Sequence, residues 1–152
     1  MPGVTAEMFP TIAEHLGITI PHVWDLSTHS DEIASTLSIR QIHKLSLLTG
    51  VGIADLIGLE TTEEPVPITF DEFCAAIRSR ISADFSGIME FEEAIGWKVR
   101  EFLDDPGRLY DVANWDCLRD VAASVGIDPA AVLPHDNQAS EQVMRGNRRQ
   151  RL

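Results

Sequence analysis

The stretch LSIRQIHKLSLLTGVGIADLIG, residues 37–58, decides how this chain is read. Ile39, Ile42, Leu45 and Leu48 recur every three residues. Ser38 with Gln41 has the spacing of a capping box, in which the N-cap hydroxyl and the third-position side chain satisfy each other's backbone N–H groups. Gly50 supplies the stop, because glycine enters the left-handed conformation that ends a helix. The same pattern returns in NWDCLRDVAASVGIDPAAVLP, residues 114–134, with Asn114 as the opening cap, Trp115, Leu118, Val121, Ala122 and Val125 as the stripe, and Gly126 as the stop. Asp128-Pro129 then has the form of an N-cap followed by proline at the first helical position.

Working outward, the rest of the chain has the same character. Met8, Ile12 and Leu16 lead to Gly17, and Phe70, Phe73, Cys74, Ile77 and Ile81 give the stripe of a half-buried helix opened by the Thr69/Glu72 capping box. No segment alternates apolar and polar residues as a half-buried strand does. The fold class expected is all-α. Residues 60–67, polar and carrying two prolines, form the joint between an N-terminal half, 1–59, and a C-terminal half, 68–134. Residues 135–152 are a polar tail with four arginines, and a short helix is expected near Ser140 to Met144.

The halves overlay as a repeat. Leu16-Gly17-Ile18 stands against Ile95-Gly96-Trp97, and Val23-Trp24-Asp25 against Phe102-Leu103-Asp104. After a three-residue gap, Ile39, Ile42, Leu45, Gly50, Val51 and Leu56 stand against Trp115, Leu118, Val121, Gly126, Ile127 and Val132.

Composition bounds the function. The chain has 152 residues, 44% hydrophobic, with 24 acidic and 12 basic residues and a net charge of −12. Residues 1–64 and 65–134 each carry a net −7, and the tail +2. Such a charge repels phosphate backbones at long range. Cys74 and Cys117 form no CxxC pair, and the histidines, His15, His22, His29, His43 and His135, make no HExxH or His/Cys grouping. Cys74 falls on an apolar stripe and is expected to be buried, and Cys117 to be partly exposed. The absence of a nucleophile elbow, P-loop or dinucleotide fingerprint leaves no cofactor, no metal and no enzyme expected. With neither a leader-like start nor a long apolar run, the expectation is a cytoplasmic protein that does not enter a membrane.

Ala13, Gly17 and Val23, with Leu26 at the next buried position, resemble the turn of the Cro/repressor (Xre-like) helix-turn-helix family. Gly96 and Phe102 fit the same pattern, while Glu92 departs from it where a small residue is usual. The two stretches quoted above resemble that family's closing helices, and Thr69 to Ala83 its first helix, for which the N-terminal half has no room. The resemblance implies two tandem lambda-repressor-like helix-turn-helix units, a homodimer, and a double-stranded DNA partner met by the second helix of the turn. Carried onto this chain, the outward positions of the first unit are Thr19, Ile20, Pro21, Trp24 and Asp25. They offer almost no donors to base edges. The second unit offers Lys98 and Arg100, with Arg78, Arg80 and Arg108 for phosphate.

Two functions stay open. One is a DNA-binding transcriptional regulator acting through the second unit. The other is an acidic interaction module, of antitoxin, immunity or adaptor type, on a repurposed scaffold. Its negative faces would meet a basic protein partner, and the apolar patch of Ile20, Pro21 and Trp24 marks a protein interface. The resemblance tips the expectation to the first, and the charge opposes it.

Overall fold

A computed structural model describes residues 4–60 and 65–134. Within them the chain is all-helical. The N-terminal run is α1 (Phe9–Leu16), α2 (Ile20–Thr28), α3 (Ile33–Thr36), α4 (Ile39–Thr49) and α5 (Ile53–Ile57). After the joint come α6 (Phe70–Asp84), α7 (Ile88–Ile95), α8 (Arg100–Asp104), α9 (Leu109–Val112) and α10 (Trp115–Ser124). Single 3-10 turns, Ala6–Met8, Ser30–Glu32 and Pro106–Arg108, lead into α1, α3 and α9, and a fourth, Pro129–Ala131, closes the second run. The helix expected near Ser140 to Met144 lies outside the described residues.

The caps read from the sequence form. Both capping boxes are complete, Ser38 with Gln41 and Thr69 with Glu72. Asn114 Oδ1 accepts from Cys117 N at 2.8 Å, and Asp128 Oδ1 from Ala130 N at 3.0 Å. Gly17 and Gly96 sit at φ 71° and 82°, and Gly50 and Gly126 at 75° and 72°. All four are left-handed, where a Cβ would meet the following carbonyl. Gln41 also reaches back along the chain. Its Nε2 donates to Leu16 O at 2.9 Å, fastening the end of α1 to the start of α4.

From α1 and from α7 onward the two runs share an order: helix, left-handed glycine, helix, 3-10 turn, short helix, capped helix and left-handed glycine. The short helix α5 closes the first run and a 3-10 turn the second, and α6 is added ahead of α7 in the second. The pairing of Val23-Trp24-Asp25 with Phe102-Leu103-Asp104 differs from expectation. Trp24 is 54% exposed and Leu103 only 3%, so they do not occupy equivalent places. The register that sets Ile39 against Trp115 also sets Ile33 against Leu109, Leu26 against Phe102 and Val23 against Val99, all of them buried. The three-residue gap thus falls in the turn before α8, not after it. Helix α8 has five residues where α2 has nine, and the missing piece is the first turn.

The runs meet at equivalent residues. Ser38 and Asn114 form an isolated antiparallel bridge, with Ile39 N donating to Ala113 O at 2.9 Å. Packing around it is reciprocal, α4 against α9 and α10 against α3. Asn114 Nδ2 donates to Ser35 O at 3.0 Å, and Arg40 pairs with Asp111. An antiparallel bridge between equivalent residues has local twofold symmetry. The buried side chains of both runs join in one hydrophobic cluster, with Phe73, Phe91, Phe102, Leu26, Ile42 and Leu45 among its most enclosed members.

Candidate functional site

Helix α2 and its cap carry the first set of residues singled out in the sequence, and α6, α8 and the segments flanking α8 carry the basic set. On α2, Thr19 Oγ1 caps the helix by accepting from His22 N at 3.2 Å, and Pro21 fits the first turn because it needs no N–H partner there. Val23 and Leu26 turn into the core, so the opposite face is fixed by helical period. Thr19, Ile20, Pro21, Trp24 and Asp25 are all exposed, as expected. Ile20 is 43% exposed. The Trp24 ring stands edge-on to Phe9 with centroids 5.1 Å apart, so it is propped against α1.

The basic residues of the second run have other partners. Arg78 donates to Leu103 O at 2.8 Å and lies 3.8 Å from the Asp104 carboxylate. It thereby satisfies a carbonyl at the end of α8 that the helix itself leaves open. Arg108 pairs with Glu101 at 3.2 Å. Arg80 pairs with Asp84 on its own helix and lies over the Phe85 ring. Arg100 donates to Glu92 Oε1 at 3.0 Å. Lys98, before α8, is exposed. Arg78, Arg100 and Arg108 are thus brought together around α8, while Arg80 is held by Asp84 at the end of α6. Four of the five cations face a carboxylate of the same chain.

Glu92, the acid that stands where the resembled pattern has a small residue, has a structural task. Val99, the N-cap of α8, has an aliphatic side chain with no acceptor to cap the helix. The Glu92 carboxylate reaches from α7 instead, accepting from Val99 N at 2.7 Å and Arg100 N at 3.3 Å. Burial pushes the Glu92 carboxyl up, but these N–H bonds and the Arg100 guanidinium more than offset it and hold the group below its ordinary range. The sequence carried the signal, an acid at a position that prefers a small residue, but did not reveal its partner.

A second linkage was not anticipated. Trp97, half-buried after the turn glycine, donates its indole N–H to Asp120 Oδ2 at 2.8 Å, tying α7's turn to α10. That bond, with help from Arg119, keeps the Asp120 carboxyl low despite partial burial.

Both cysteines are buried, so the expected partial exposure of Cys117 is corrected: it lies on the inward face of α10 with Leu118 and Val121. Cys74 donates its thiol to Phe102 O at 3.3 Å. His15 and His29 are exposed, while His22 and His43 are half-buried, and His135 lies outside the described residues. Among the described residues no group of His, Cys, Asp and Glu is placed to hold a metal, and no helix is long and apolar enough to cross a membrane. No family model, curated protein or solved structure matches the chain.

Proposed function

We propose that this chain is a non-enzymatic regulatory protein that works by binding another protein. In this reading two lambda-repressor-like helix-turn-helix units are fused in one chain, and neither keeps a DNA-reading face. The observation that carries it is the engagement of Arg78, Arg80, Arg100 and Arg108 by Asp104, Asp84, Glu92 and Glu101. A phosphate approaching those arginines also approaches their acids. On α2 the positions that would face DNA hold Ile20, Pro21, Trp24 and Asp25, with no cation among them. A homodimer is not needed to pair the units, because the Ser38–Asn114 seam pairs them within one chain.

DNA binding through the second unit is the alternative. One observation favours it: the Arg78, Arg80, Arg100 and Arg108 side chains are each about half exposed. Exposed ion pairs contribute only about 0–1 kcal/mol, so a phosphate could displace some of them. Gel retardation with random double-stranded DNA fragments, at low and moderate salt, separates the two. No retardation even at low salt is expected. Retardation that weakens with salt and is lost in Arg78→Ala/Lys98→Ala would overturn the protein-binding reading.

A further inference from the structure

The first turn of α2 is the piece that one run has and the other lacks. In the corrected register Trp24 stands where Arg100 stands in α8, and Thr19 to His22 have no helical counterpart. The second run closes this corner with the Glu92–Arg100 pair and shows no large apolar side chain from α8 there. The second run thus shows no outward isoleucine or tryptophan from α8, whereas on α2 Ile20 and Trp24 stay exposed although the Trp24 ring rests against Phe9.

Ile20 and Trp24 lie one turn apart on one face and make a short apolar ridge. Such a ridge fits the groove between side chains of another helix. The segment that carries it is rich in carboxylates. Residues 1–39 contain no lysine or arginine, and their acids, Glu7, Glu14, Asp25, Asp31 and Glu32, are all exposed. Asp25 adjoins Trp24, and Asp31 and Glu32 sit in the 3-10 turn that packs on α2.

We propose that the Ile20–Trp24 ridge docks a partner helix whose apolar stripe is flanked by lysine or arginine. This deepens the protein-binding reading and rests on it. The apolar ridge supplies the anchor, and the surrounding carboxylates select and orient a basic partner.

The test uses the full chain and three labelled synthetic peptides read by fluorescence anisotropy. The first is an amphipathic helix with leucines on one face and lysines and arginines beside them. The second keeps the leucines and carries glutamates instead. The third is basic with its leucines scrambled. The first is expected to bind at least about tenfold more tightly than either control. Ile20→Lys and Trp24→Ala are each expected to weaken it about tenfold or more, with circular dichroism unchanged. Ile20→Lys carries the test should Trp24→Ala loosen the contact with Phe9. No binding of the first peptide, equal binding of the acidic one, or full binding by Ile20→Lys overturns the docking face. That failure is separate from failure of the underlying reading, which DNA retardation alone would show.

Discussion

Ser38 and Asn114 each cap a helix, occupy the same place in two repeated runs, and bridge each other in antiparallel fashion. Two N-caps and the seam between the halves thus coincide. Asn114 is the more heavily committed, capping α10 through Oδ1 and reaching Ser35 O through Nδ2. Asn114→Ala is expected to cost about 1–2 kcal/mol, from the lost cap and the lost cross-run bond. Ser38→Ala is expected to cost about 1 kcal/mol. Urea denaturation measures both. The double variant should depart from additivity, because the residues touch; strict additivity would argue against a shared seam.

Glu92 predicts an acid-sensitive stability. Its folded-state pKa is depressed below the ordinary 4.5, so its bonds stabilise the folded chain above that value. The contribution is lost as pH falls through the lower, folded value. Asp120, also depressed, acts in the same direction. Glu92→Gln is expected to be less stable at neutral pH and to show a shallower fall in stability below about pH 4.5. Denaturation curves across pH, wild type minus variant, isolate the Glu92 part. Parallel curves would remove this assignment.

Glu92→Ala should cost more, about 3 kcal/mol, because it leaves the Val99 N–H buried without its partner and frees Arg100. Its signature is loss of α8, visible as faster amide exchange at Val99 and Leu103 than elsewhere in the second run. Uniform loss of protection would mean that the cap is not local to α8.

The turn glycines should show conformational cost without steric cost. Beyond the adjoining backbone, a Cβ at Gly17 or Gly96 meets nothing within 4 Å, yet φ is positive at both. Gly17→Ala and Gly96→Ala are each expected to lose about 1 kcal/mol. Asparagine at the same positions should lose less, since it tolerates the left-handed region. Thermal denaturation ranks the series; alanine as stable as glycine would contradict the turn geometry.

Both thiols should be inert in the folded protein. Burial pushes Cys74 up to about 11 and Cys117 up to about 12, so little thiolate forms at pH 8. With Ellman's reagent neither should react on the time scale of a free thiol, and both should react at once in denaturant. Fast labelling of one thiol in the native protein would show that its helix opens locally.

The helices and their ends were legible in the sequence because their causes are local. Ser38/Gln41, Thr69/Glu72 and Asn114 cap through residues three positions away, and Gly17, Gly50, Gly96 and Gly126 turn the backbone through their own φ. The repeat was legible for the same reason, apart from the place of its gap. Trp24 against Leu103 looked like a match of apolar types, and only burial separated an exposed ring from an enclosed one. The surface was less legible. Arg78, Arg80, Arg100 and Arg108 read as a basic cluster because nothing in the sequence tells which acids fold back upon them.

By itself, then, the sequence determined an all-helical chain, its caps, its glycine turns and its two similar halves, since each depends on neighbours within a few positions. The tertiary structure decided what those halves do to each other. It set Ser38 against Asn114, carried Glu92 to the start of α8 and closed four arginines with acids, while leaving Ile20 and Trp24 uncovered. Charge pairing and burial depend on distance in space, and the chain acquires those distances only when it folds.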